Sequence, residues 1–202
     1  MKAPAFTMFA AVAWLTVTLS GTWLMLAYAN APGAPGTAPA QWPAASGVPH
    51  SPARPTIVMF VHPHCPCSRA SVGELALLMA HEGEKADARV IFLNPAGLDS
   101  DWVKTDLWTA AAAIPGVTVE RDSEGRAAHT FGSATSGDTL LYDGAGQLLF
   151  HGGITGARGH SGDNAGRSAI EALLRGESIQ MATPVFGCAL FGKNEEDKRC
   201  QR

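Results

Sequence analysis

The run Thr56-Ile57-Val58-Met59-Phe60-Val61 has no charge and no alternation of polar with apolar residues. It is too short for a core helix and is rich in β-branched side chains, so it reads as a strand buried on both faces. Strands of that kind belong to sheets covered by helices on either side. From Thr56 onward the chain alternates such runs with stretches of helical periodicity, which predicts an α/β domain.

The stretch Ser68–Glu82 places Val72, Leu75, Ala76 and Met79 at helical spacing. Residues 88–93 (Ala-Arg-Val-Ile-Phe-Leu) form a second buried strand. Residues 101–113 read as one helix capped by Asp99, Ser100 or Asp101 and stopped near Pro115-Gly116. A short strand over 117–120 and a short helix over 124–131 follow. Residues 139–142 and 147–152 flank Asp143-Gly144-Ala145-Gly146, the composition of a hairpin turn. The last helix starts near Asp163/Asn164, carries Ile170, Leu173 and Leu174, and ends at Gly176. The predicted order is β-α-β-α-β-α-β-β-α.

What precedes this domain has a different composition. After Lys2 the next charged residue is Arg54, and charged residues make up 16% of the chain against about 25% in ordinary soluble domains. Ala3–Ala29 is uncharged and 27 residues long, more than the roughly 20 that span a bilayer core. Its length favours an uncleaved anchor over a signal peptide, whose apolar region runs about 7–15 residues, although Ala27-Tyr28-Ala29 and Ala29-Asn30-Ala31 have the small residues of cleavage sites. Trp23 and Tyr28 suit an interfacial belt, and Lys2 sets the amino end on the cytoplasmic side. The expectation is a single-pass protein of the inner (cytoplasmic) membrane, spanning through residues 3–29, with its domain periplasmic or otherwise extracytoplasmic.

Residues 30–55 hold seven of the thirteen prolines among Ala, Gly and Ser, the composition of an extended, poorly ordered linker. The expected division is therefore anchor 1–29, linker 30–55, domain 56–176 and C-terminal extension 177–202. A formal charge of −3 and the absence of a basic stripe give no field for nucleic acid.

The chemistry concentrates in His62-Pro63-His64-Cys65-Pro66-Cys67, where strand gives way to helix. The unpaired N–H groups and positive pole of a helix N-terminus stabilise a thiolate. Cys65, placed where the helix should begin, is the candidate nucleophile, and Cys67 the resolving partner. A disulfide between them would close a tight, readily reduced ring. The same side chains also suit a soft metal: His62, His64, Cys65 and Cys67 offer two imidazoles and two thiolates, a set for copper or zinc. A copper-binding or copper-delivery protein is thus the alternative reading, and a non-catalytic interaction module the third. Without the alternative, no cofactor is expected.

The stretch Phe60-x-x-x-x-Cys65, with β-α-β around it and a late hairpin plus helix, resembles the thioredoxin superfamily. With its anchor and linker the chain most resembles the exported, membrane-tethered thioredoxin-like proteins of bacteria (the TlpA/ResA type). Two departures stand out. Cys65 is followed by Cys67 rather than by a cysteine at 68, where Ser68 stands. Positions 135–138, Thr-Ser-Gly-Asp, lack the family's proline before the matching strand. The resemblance implies a three-layer α/β/α sandwich with a mixed sheet, and thiol–disulfide exchange with protein thiols or disulfides outside the cytoplasm. It also implies that 135–138 and 152–164 lie beside Cys65. Arg158 and His160 in the second segment, with His62 and His64, would supply positive charge or proton transfer to a thiolate.

Cys188 lies in an apolar patch after the last predicted helix, Pro184-Val185-Phe186-Gly187-Cys188-Ala189-Leu190-Phe191. Either it folds back as a third thiol, or it pairs with Cys200 or simply packs; four cysteines allow three complete pairings. Trp102 and Trp108 are expected as core and rim of one helix.

Overall fold

The computed structural model describes residues 3–179 and 182–191. The chain divides into two compact units, Met1–Ala31 and Pro32–Arg202. The first contains helix α1 (Ala3–Ala29). Its Phe6–Ala29 portion is long and apolar enough to cross a membrane.

The second unit is built on a six-stranded sheet in the order β3-β2-β1-β4-β5-β6. The strands are β1 (Thr56–Val61), β2 (Asp87–Asn94), β3 (Val117–Ser123), β4 (Asp138–Tyr142), β5 (Leu148–Gly153) and β6 (Ala182–Thr183). β1 runs parallel to β2 and antiparallel to β4. β1 is buried along its whole length, as its uninterrupted apolar run requires.

Alternate residues of β1 serve two cores. Ile57, Met59 and Val61 pack with helices α2 (Ser68–Glu82), α3 (Asp106–Ala112) and α5 (Ala165–Leu174). Val58 and Phe60 face the other way, toward α4 (Arg126–Phe131). The result is a helix–sheet–helix sandwich with a mixed sheet, the thioredoxin-like fold. The hairpin between β4 and β5 turns through residues 143–147, where the Asp143 N–H donates to the Gln147 carbonyl and Gly146 takes φ +81°.

The structure corrects two expectations. Residues 101–113 are not one helix. A 3₁₀ turn, Ser100–Val103, is capped by Asp99, whose carboxylate accepts the Asp101 N–H. The backbone then extends at Thr105, whose hydroxyl oxygen caps α3 by accepting the Trp108 N–H. Trp102 and Trp108 therefore sit on separate elements.

Residues 32–55, expected as a poorly ordered linker, lie along the domain. The Gly33, Thr37 and Trp42 N–H groups donate to the carbonyls of Val185, Gly132 and Gly146, and the Leu148 N–H donates to Ala40. The Trp42 ring meets Phe131 and Tyr142 edge-on at 5.0 and 5.2 Å, and the Tyr142 hydroxyl donates to the Pro39 carbonyl. An extended segment needs no apolar periodicity to dock. Its backbone bonds to loops and strand edges, and prolines reduce the entropy lost on ordering.

Topology brings three loops to one end of the sheet. β1 ends at the cysteine motif, and Phe60 near that end pairs with Asp138, the first residue of antiparallel β4. Asp138 in turn pairs with Gly153, the last residue of β5. β6 runs parallel to β5, so the chain leaving Thr183 heads to the same end.

Candidate active site

Helix α2 begins at Ser68, with Cys67 as its N-cap residue in a right-handed helical conformation; its side chain makes no capping bond. Cys65 thus stands in a turn ahead of the helix, where its N–H donates to the His62 carbonyl and its own carbonyl accepts the Ser68 N–H. The sequence placed Cys65 at the helix start; the structure gives that position to Cys67. What governs Cys65 is consequently less the helix pole than the sulfurs around it.

The principal neighbour is Cys188. Its Sγ lies 3.0 Å from Cys65 Sγ, and its N–H donates to Cys65 Sγ at 3.4 Å. Cys65, Cys67 and Cys188 are all thiols. Cys65 is only 2% exposed. Its pKa is nevertheless held far below the ordinary thiol value, by the side-chain hydrogen bond with Cys188, then that with Cys67, with Ser68 and the Cys188 N–H adding to them against burial. Cys67 moves the other way. Its hydrogen bond with Cys188 acts downward, as does the charge of Arg158, but its bond to Cys65, burial and the negative charge on Cys65 outweigh them. The two motif cysteines are thereby shifted in opposite directions, Cys65 down and Cys67 up.

Ser136 organises the floor of the site. Its hydroxyl oxygen accepts the His62 N–H at 2.7 Å and lies 2.6 Å from the Ser68 hydroxyl, while its own N–H donates to the Cys188 carbonyl at 2.8 Å. Next to it, Thr135 and Ala189 form an antiparallel bridge, and the Leu190 N–H donates to Ala134. The tail therefore docks on the loop before β4 through one isolated antiparallel bridge and its flanking backbone bonds. Among the described residues this loop contains no cis peptide bond.

The glycine-rich segment forms the remaining wall. Arg158 donates from its guanidinium to the Gly187 carbonyl at 2.6 Å, and Gly159 passes over the Cys67 backbone, a Cβ built there lying 4.0 Å from Cys67 Cα. The segment is pinned from below by Glu74 of α2. This fully buried carboxylate accepts the Gly162 N–H at 2.8 Å, the Asn164 amide at 3.1 Å and the Arg167 guanidinium at 2.8 Å. Asn164 also caps α5 by accepting the Arg167 N–H.

The predicted site residues divide accordingly. Cys65, Cys67 and Arg158 meet, with Cys188 as the third thiol. His62 and His64 adjoin the motif. His62 Nδ1 accepts the His64 N–H at 3.2 Å, and His64 Nε2 donates to the Trp102 carbonyl at 3.2 Å. Trp102 is a platform for both rings, with centroids 5.6 Å from His62 and 4.5 Å from His64. His160 is exposed, and its imidazole makes no hydrogen bond to a sulfur among the described residues. The four-ligand set His62, His64, Cys65 and Cys67 is not gathered: among the described residues no three His, Cys, Asp or Glu side chains form a cation-holding group. Cys200 lies outside the described residues.

Ser136, Glu74 and Trp102 carry no sequence signal of this role. Ser136 lies in the segment expected beside Cys65; Glu74 reads as one acidic residue on a helix.

No family model and no curated protein matches the chain. Among solved structures it is similar to a hypothetical protein from Sinorhizobium meliloti 1021, at 21% identity over 81% of this chain and 98% of that one, TM-score 0.58. It is likewise similar to an uncharacterized conserved protein from Geobacillus kaustophilus, at 21% identity over 70% and 79%, TM-score 0.57. These two share the fold. A weaker likeness is to the pneumococcal exposed lipoprotein thioredoxin from Streptococcus pneumoniae strain TIGR4, at 16% identity over 61% and 84%, TM-score 0.45.

Proposed function

We propose that this protein is a membrane-tethered thiol–disulfide oxidoreductase acting outside the cytoplasm, with Cys65 as nucleophile. The observation that carries the reading is the hydrogen bonding of one buried sulfur, Cys65, by two neighbouring thiols and a backbone N–H. That environment stabilises a thiolate, the form that attacks a disulfide. Cys65 attacks a client disulfide, forms a mixed disulfide, and a neighbouring thiol then displaces the client. The same bonds made and broken in the opposite order oxidise a client dithiol.

Helix α1 is the tether in this reading, its apolar length suiting a bilayer span. Lys2 favours a cytoplasmic amino end and an exported domain.

The test is the reaction of the reduced chain with an aromatic disulfide such as dithiobis(nitrobenzoate). A fast release of chromogenic thiolate at mildly acidic pH, lost in Cys65→Ser, is expected. If Cys65 reacts no faster than an ordinary cysteine, the oxidoreductase reading is wrong. Protease digestion of intact and opened cells, with the domain cleaved in the former once the outer envelope is permeable, checks the orientation.

A further inference from the structure

Given Cys65 as the nucleophile, on which this inference rests, we propose that its resolving partner is Cys188, so that the first disulfide the protein closes within itself is Cys65–Cys188.

The geometry of the three thiols argues for this pairing. Cys188 Sγ already lies 3.0 Å from Cys65 Sγ, and a disulfide requires about 2.05 Å. The remaining approach of about 1 Å is within reach of a small side-chain rotation. Cys67 is also hydrogen-bonded to Cys65, but its backbone is committed to a helix. It follows Pro66, whose ring fixes φ, and its helical backbone (φ −66°, ψ −31°) starts α2. Its carbonyl accepts the Ala70 N–H, and the Cys65 carbonyl accepts the Ser68 N–H. Closing a ring across Cys65-Pro66-Cys67 would have to disturb that first turn.

Cys188, by contrast, is delivered by a segment built to hold it. The Ser136 N–H bonds the Cys188 carbonyl, the Leu190 N–H bonds Ala134, and Gly33 donates to Val185. Arg158 bonds the Gly187 carbonyl. Gly187 permits the approach itself, since a Cβ there would collide with the Ser136 carbonyl oxygen, a backbone atom with no room to yield. Four residues from three separate segments (Gly33, Ala134 with Ser136, and Arg158) thus fix the backbone on either side of one sulfur.

The chemistry balances. Cys65 thiolate attacks a client disulfide, forming a Cys65–client bond and releasing the first client thiolate. Cys188 then surrenders its proton and attacks Cys65 Sγ. The Cys65–Cys188 bond forms, the client bond breaks, and the second client sulfur leaves as a thiolate. Two electrons pass from the two protein thiols to the client disulfide, and the proton from Cys188 goes to one of the client sulfurs. Cys67 stays reduced beside the new disulfide.

The experiment uses the full chain in detergent with a stoichiometric amount of dithiobis(nitrobenzoate). The first thiolate released reports attack by Cys65, and the second reports resolution. Relative to the first release, the second should slow by about tenfold or more in Cys188→Ser, whereas in Cys67→Ser the ratio of the two releases should stay as in the wild type. Peptide mapping of the oxidised wild-type chain, after blocking remaining thiols, should recover Cys65 linked to Cys188. Loss of the second release in Cys67→Ser but not in Cys188→Ser overturns the inference, as does a dominant Cys65–Cys67 or Cys188–Cys200 link. In both cases the fast first release leaves the oxidoreductase reading standing. Absence of that first release in the wild type is instead the failure of the underlying reading.

Discussion

The guanidinium of Arg158 donates a 2.6 Å hydrogen bond to the carbonyl oxygen of Gly187, joining the glycine-rich loop after β5 to the residue preceding Cys188. One side chain thereby anchors the tail segment and places positive charge near Cys67. The two contributions are separable, because a neutral amide can keep the hydrogen bond without the charge.

Arg158→Gln is expected to raise the Cys67 pKa further. The hydrogen bond with Cys188 remains as a downward influence, but the charge of Arg158 is lost. Alkylation of Cys67 at neutral pH, followed by mass spectrometry of its peptide, should slow, while Cys65 alkylation stays fast. An unchanged Cys67 rate would remove Arg158 from the electrostatics of the site.

Trp42→Ala is expected to destabilise the domain by about 2–4 kcal/mol, the range for losing a large aromatic side chain from a packed setting. Its ring packs on Phe131 and Tyr142. Chemical denaturation of the full chain in detergent reads the loss. A loss under about 0.5 kcal/mol, ordinary for surface positions, would mean that the proline-rich segment is a tether after all.

Glu74→Gln removes the charge from a fully buried carboxylate while Arg167 remains beside it, with Asp163 and Glu171 at 3.5 and 3.6 Å as lesser partners. Breaking such a pair from one side should cost about 2–4 kcal/mol. Amide exchange at Gly162, whose N–H loses a charged acceptor, should quicken, because Glu74 pins the loop that carries Arg158.

His151 gives a pH dependence. Its Nε2 lies 3.1 Å from an Asp138 carboxylate oxygen, and that bond holds the imidazole pKa above its usual value against burial. A raised folded value means that the pairing stabilises fully below the unfolded pKa of about 6.5 and fades as pH rises through the folded value. His151→Gln should therefore cost more stability at about pH 5.5 than at about pH 9. Denaturation midpoints at the two values check the sign, and an equal cost at both would contradict it.

The sequence by itself determined the alternation of strands and helices, the two-faced burial of β1, and the placement of Cys65 and Cys67 where β1 passes into α2. These follow from side-chain periodicity and from capping, which operate within a turn or two of the chain. Even there the reading blurred at Thr105, where one hydroxyl cap splits an otherwise continuous helical pattern.

The tertiary structure alone decided that Cys188, 123 residues from Cys65, approaches it. It also decided that residues 32–55 lie on the domain and that Ser136, Glu74 and Trp102 support the site. The docking of the tail and of residues 32–55 rests largely on backbone hydrogen bonds, which any residue but proline can donate and every residue can accept, so they leave no mark in composition or spacing. Which thiol faces Cys65 is therefore fixed by the parallel pairing of β6 with β5. That pairing sends the tail to the cysteine end of the sheet.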